Sequence, residues 1–196
     1  AVYDLAGKAL GVPVYMLLGG AYRTEFEMLT NLYHKTPEAM AAACVECVKE
    51  GFKGLKIKVG DTVLAKGWNR DNLLTELAIL RAALDVVPAD VYIDADANQG
   101  WRSAQWTVSV LKRFTGHDNL SIEQPLGHAD LVGAAFVRAN SGVPVILDES
   151  VWSPEALANI VRLAACIGPM QKPSSRAKAM NTFSCSEPNS GRLGTS

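Results

Sequence analysis

The chain has 196 residues, 48% of them hydrophobic and 20% charged, with a formal net charge of −1. That composition belongs to a globular chain long enough to bury one sizeable core. Its near-neutral charge excludes nucleic acid or an anionic membrane surface as principal partner, because both require a concentrated basic face. Charged residues interrupt the apolar stretches, so no membrane-spanning helix is expected. The opening, Ala1-Val2-Tyr3-Asp4, has no initiator Met and no basic-then-apolar targeting pattern, which suggests the interior of a longer protein.

From the amino terminus, an apolar helical pattern runs from Tyr3 to Leu18 and stops at Gly19-Gly20. Glu25 to Leu32 is the first strand candidate. Thr36-Pro37-Glu38 then supplies a capping hydroxyl, a proline at the first helical position and an early acid, predicting a helix to about Lys49. Within it lie Cys44 and Cys47, spaced like half of a redox or zinc site. No second ligand pair follows at matching spacing, so packed helix cysteines are expected. With Cys166 and Cys185 they do not suggest a disulfide framework, and a reducing, cytoplasmic setting is expected.

The alternation continues with a strand at Gly54 to Val59, a helix near Asp71 to Leu84, a strand at Val91 to Asp96 and a helix from Ser103 to Phe114. Leu120 to Glu123 is the next strand, followed by a helix at about Asp130 to Asn140 and a strand at Val143 to Asp148. Ser153-Pro154-Glu155 repeats the capping device before a helix reaching Ala165, and a sixth strand would end at Lys172. Strands alternating with helices mean a parallel sheet covered by helices. No glycine-rich turn follows the first strand, as a dinucleotide-binding sheet would require. Charged residues instead recur at the carboxyl ends of successive strands, where barrel enzymes build their sites. The expected architecture is therefore an α/β, (β/α)8-type TIM barrel, incomplete at about six βα units. Residues 1–172 would form this partial barrel. Residues 173–196 would be an irregular, polar tail, the mark of a fragment or of an end altered by truncation or a reading-frame shift.

The ordered ionisable groups are Lys56-Ile57-Lys58, Asp94-Ala95-Asp96-Ala97-Asn98, Glu123-Gln124-Pro125, Asp148-Glu149-Ser150 and Lys172. Residues two apart share a strand face, so Lys56 and Lys58 should both point inward, as should Asp94, Asp96 and Asn98. Charged groups at one height need partners, and several carboxylates together call for a hard divalent cation. Two adjacent ammonium groups would lower a lysine pKa toward useful base strength. Taken singly, each motif is an ordinary solvated strand end or turn; the series at strand after strand is what carries weight.

The segment from Ala1 to Gly20 (AVYDLAGKALGVPVYMLLGG), together with Lys56-Ile57-Lys58, Asp96-Ala97-Asn98-Gln99, Ile122-Glu123-Gln124-Pro125 and Asp148-Glu149-Ser150, resembles the enolase superfamily. The match is to the mandelate racemase/muconate lactonizing enzyme family, in its Lys-x-Lys subgroup, and covers Ala1 to roughly Ala165. It implies magnesium, with manganese as a substitute, held by Asp96, Glu123 and Asp148. It makes Lys58 the base on one substrate face, Lys56 its tuning neighbour, and Lys172 the acid or base on the other, with Lys178 as the alternative. Asn98 would be a polar neighbour of the metal, Asp94 a supporting interior group, and Glu149 an ambiguous one, turned away from Asp148 on the strand. His34, His117 and His128 match no motif.

The implied reaction removes a proton alpha to a carboxylate through an enediolate. The substrate would be a small-molecule carboxylate, amino-acid-derived or a dipeptide, and the outcome racemisation or epimerisation. Cycloisomerisation or dehydration is the alternative. Other readings are a lysine-imine aldolase and an inactive barrel remnant. The family's amino-terminal capping domain and last strands are absent, and the surroundings of Lys172 lack the family's usual Asp and Gly-Gly, so little turnover is expected of this chain alone. A homo-oligomer is expected for the intact protein.

Overall fold

The computed structural model describes residues 1–165 apart from 26, 34, 61–65 and 68. Five strands are present in it: β1 (Leu29–Leu32), β2 (Gly54–Lys58), β3 (Tyr92–Asp96), β4 (Leu120–Glu123) and β5 (Val145–Ile146). All neighbours are parallel, and the order is sequential, β1-β2-β3-β4-β5. A doubly wound sheet reverses its strand order partway; strands laid down one after another in a single direction are those of a barrel wall. The expected partial barrel is therefore what the chain forms. The sixth strand and Lys172 lie outside the described residues.

Among the described residues the helices are α1 (Val2–Leu10), α2 (Val14–Leu17), α3 (Pro37–Lys49), α4 (Arg70–Val86), α5 (Ala104–Leu111), α6 (Leu131–Ser141) and α7 (Pro154–Arg162), with a 3-10 turn at Lys112–Phe114. Five begin at a side-chain cap. Thr36, Asn69, Ser103, Asp130 and Ser153 each accept a hydrogen bond from the backbone N–H three residues on. Each cap satisfies a donor that the helix leaves unpaired, worth about 1 kcal/mol. The opening segment is not one helix. Gly11 takes a left-handed φ of 67°, and the extended Pro13 then begins α2. A glycine C-cap followed by proline is a stop signal that the unbroken apolar pattern concealed.

Alternation along the strands sorts the core from the site. Leu55, Ile57, Ile93, Ala95, Leu120 and Ile122 face the helix layer and are buried in one cluster with Met40, Cys44, Leu80 and Ala83. Each fully buried Leu or Ile contributes about 1.5–3 kcal/mol. Cys44 is a packed helix residue, its thiol pushed up to about 11 by burial first and by Cys47 second, which keeps it protonated and unreactive. The opposite strand face carries Lys56, Lys58, Asp94, Asp96, Ser121 and Glu123. The register sets Lys56 opposite Asp94, Lys58 opposite Asp96, and Asp96 opposite Glu123.

Beyond the strands the backbone stays tied. Val59 N–H donates to Asp96 O at 2.8 Å, Ala97 N–H to Glu123 O at 3.0 Å, and Gln99 N–H to Gln124 O at 2.7 Å. Gly60 fits against this rim only because it lacks a side chain. A Cβ there would lie 1.8 Å from the Ala97 carbonyl oxygen. Trp101 fills the space behind, donating its indole N–H to Val59 O at 3.1 Å and meeting Trp106 edge-on at 5.3 Å. No helix among the described residues is long and apolar enough to cross a membrane.

Candidate active site

At the carboxyl ends of β2, β3 and β4 the inward side chains form one hydrogen-bonded cluster. Lys56 Nζ donates to Glu123 Oε2 at 2.5 Å and lies 3.4 Å from Asp94 and 3.7 Å from Asp96. Lys58 Nζ donates to Asp96 Oδ2 and, at 2.7 Å, to Asn98 Oδ1. Asn98 has a left-handed φ of 41°, its N–H donates to Asp96 Oδ1 at 3.0 Å, and its amide nitrogen donates to Glu149 Oε1 at 3.2 Å. Asp94 is held from below. The Tyr92 hydroxyl donates to Ser121 Oγ at 2.5 Å, and Ser121 donates to Asp94 Oδ1 at 2.9 Å.

Residues predicted for the site thus come together as Lys56, Lys58, Asp94, Asp96, Asn98, Glu123 and Glu149. Asp148 stands at the same rim but is exposed. The strand expected over Val143 to Asp148 is only Val145–Ile146, because the amides of Asp148 and Ser150 pair with the Gln124 side chain instead of a neighbouring strand. Alternation therefore does not govern Asp148 and Glu149, and Glu149 turns to Asn98. His128 is exposed, with its ring Nδ1 3.2 Å from Gln99 Oε1. Gln124 and Ser150 lie inside the sequence motifs without a role of their own there, and Tyr92 and Ser121 were marked only by lying two residues before Asp94 and Glu123 on the same strands.

Charge dominates the site. Asp94, Asp96, Glu123, Asp148 and Glu149 gather around the ammonium groups of Lys56 and Lys58. Glu123, 4% exposed, has its carboxyl pushed up to about 8, by burial first and then by Asp94, with Lys56 opposing. Asp148 is also raised, by partial burial and then by Glu123 and Glu149. Burial by itself would lower Lys56, but Glu123, Asp94 and Asp96 outweigh it and hold its ammonium more firmly than usual. This corrects the expectation that the lysine pair would depress its own pKa: for Lys56 the surrounding carboxylates win.

Among the described residues no group of three or more His, Cys, Asp or Glu is arranged to hold a metal ion. Asp96 and Glu123 are instead engaged by the ammonium groups of Lys58 and Lys56. The donor chemistry nonetheless fits a hard divalent cation. The donors are all oxygen, their negative charge exceeds that of the two lysines, one carboxyl is driven toward neutrality, and Glu149 Oε2 is buried without a hydrogen-bond partner.

A barrel wall with paired lysines set among carboxylates at its carboxyl rim defines an enzyme-type α/β barrel site. A protein-family model described as Enolase C-terminal domain-like matches residues 39–174, and the chain belongs to that family, in its mandelate racemase/muconate lactonizing group. Among curated relatives, the L-Ala-D/L-Glu epimerase of Clostridium acetobutylicum is 34% identical over 169 residues, covering 85% of this chain and 44% of that protein. The N-succinyl-L-Arg/Lys racemase of Bacillus cereus is 32% identical over 84% of this chain and 42% of its own length. Its crystal structure superposes with a TM-score of 0.72. A dipeptide epimerase from Cytophaga hutchinsonii, solved with Mg and the dipeptide D-Ala-L-Val, gives a TM-score of 0.71 at 25% identity, covering 85% of this chain and 42% of that one. The chain spans less than half the length of these relatives.

Proposed function

We propose that this chain is part of a racemase or epimerase that removes and returns the proton alpha to a carboxylate, acting on a dipeptide or an N-acylated amino acid. The observation that carries the reading is the placement of Lys58 and Lys56 at the carboxyl ends of the strands, in register with Asp96 and Asp94 and touching Asp96 and Glu123. In this reading residues 1–172 are the first part of the barrel domain and 173–196 lie outside it.

Lys58 is the base that takes the proton, and Asn98 with Asp96 fixes where its Nζ stands. Lys56 keeps its charge and neutralises the carboxylates beside it. Lys172 returns the proton on the opposite face. Asp96, Glu123 and Asp148 hold the divalent cation, magnesium or manganese, which when bound stabilises the negative charge that develops on the substrate carboxylate. The relatives with epimerase and racemase names, and the Mg-bound dipeptide epimerase, support this choice over other outcomes.

The test has two arms. Calorimetric titration with magnesium chloride is expected to give a saturable site that Asp96→Asn and Glu123→Gln each weaken. The whole protein in D2O is expected to place deuterium at the alpha carbon of L-Ala-L-Glu or an N-succinyl amino acid, and to lose this activity to a chelator. Absence of both saturable binding and exchange would sink the reading. Water loss without inversion would assign a dehydratase instead, the activity named for a relative from Roseibium aggregatum, cis-3-hydroxy-L-proline dehydratase.

A further inference from the structure

Gln124 follows the last residue of β4, is 1% exposed, and has a left-handed φ of 38°. Non-glycine residues hold such a backbone only where the surroundings enforce it. Its side chain spends every hydrogen-bonding position. The amide nitrogen donates to Leu126 O at 2.9 Å and to Ser150 Oγ at 2.9 Å. The amide oxygen accepts from Asp148 N at 3.0 Å and Ser150 N at 3.2 Å. Those are all the donors and lone pairs a primary amide has. Ser150 accepts from this nitrogen, its hydroxyl donates to His128 O at 2.9 Å, and His128 N–H donates to Gln99 Oε1 at 2.9 Å.

Nearly all of this bonding goes to one turn. Holding the amides of residues 148 and 150 fixes the peptide segment between them, and that segment carries the Asp148 and Glu149 side chains. Glu149 in turn receives the Asn98 amide, and Asn98 receives the Lys58 ammonium. A residue needed only to fill space would be served as well by an apolar side chain, since a buried amide is costly unless fully paired.

We propose that Gln124 is a positioning residue: it latches the 148–150 turn to β4, so that Asp148 stands beside Glu123 for the cation and Glu149 stands against Asn98. This rests on the metal reading given above. Gln124 touches neither substrate nor metal; it acts through the turn.

The experiment uses the 196-residue chain with magnesium chloride as the only ligand, reading affinity by calorimetry and folding by circular dichroism. Gln124→Met keeps the length and removes the amide. Its magnesium affinity is expected to fall about 10–100-fold, the usual effect of losing a residue that orients a ligand. Thr36→Ala, which removes the distant cap of α3, is expected to lower the melting temperature and leave magnesium affinity unchanged. If Gln124→Met folds and binds magnesium as wild type does, the proposal is overturned. Should that variant not fold, Ser150→Ala, which deletes one hydroxyl of the same latch, is read in its place. Weakened binding supports the latch, and wild-type binding overturns it. A wild-type chain with no saturable magnesium site removes the latch and the metal reading together, an outcome distinct from a variant that binds normally.

Discussion

Among the described residues Glu123 is the carboxyl most displaced toward neutrality, from 4.5 to about 8, because it is buried beside Asp94 while Lys56 opposes the shift. The folded state therefore binds its proton more tightly than the unfolded chain does. The stabilisation is complete below about pH 4.5 and is lost as pH rises toward about 8. Asp148 is shifted in the same sense, so it adds to the trend. The urea midpoint of the metal-free chain should fall between pH 5 and pH 8; a midpoint that stays level would show that Glu123 is ionised throughout. Magnesium binding near pH 7 should release a proton, detectable by calorimetry in buffers of differing ionisation enthalpy. Lys58 makes the other residue-scale prediction. Lys58→Ala in the whole protein should slow alpha-proton exchange by about 10²–10⁴-fold, the usual contribution of a positioned base. Retained exchange would move the base elsewhere.

At the scale of elements, the strand ends were the most readable part of the sequence. The alternation Lys56-Ile57-Lys58 and Asp94-Ala95-Asp96 puts charge on one face and apolar carbon on the other, and β2 and β3 follow it in register. Four of the five caps, at Thr36, Ser103, Asp130 and Ser153, stood at the expected starts of their helices. What misled was tertiary. The apolar run through Val143 suggested a strand to Asp148, yet the Gln124 side chain, distant in sequence, takes the amides that a ladder would have used. The cluster's lower supports, Tyr92 and Ser121, were hidden for the same reason: each is ordinary alone and gains a role only across strands. The close approach of Gly60 to Ala97 makes the element-scale prediction. Gly60→Ala should cost roughly 1–3 kcal/mol by forcing the ends of β2 and β3 apart. It should also weaken magnesium binding, since Asn98 follows the displaced residue. A denaturation midpoint equal to wild type would contradict this.

For the whole molecule, β1 and β5 each have a strand partner on one side only among the described residues, and Val2, Leu5, Tyr22, Met28 and Trp152 are exposed. Open strand edges beside apolar surface favour pairing between copies. The 196-residue chain should therefore elute from a sizing column with a mass that grows with concentration; a sharp monomer peak at every concentration would refute this. The strand register has a consequence for how such a chain tolerates insertions and deletions. Losing one codon within β3 ahead of Asp94 would swing both aspartates into the layer where Ile93 and Ala95 now pack, stranding two charges in oil. Losing two codons would keep them on the correct side but shift them by about 6.6 Å along the barrel wall, out of step with Lys58 and Glu123. Length changes should therefore be tolerated in the connections between elements, and almost nowhere inside β2, β3 or β4.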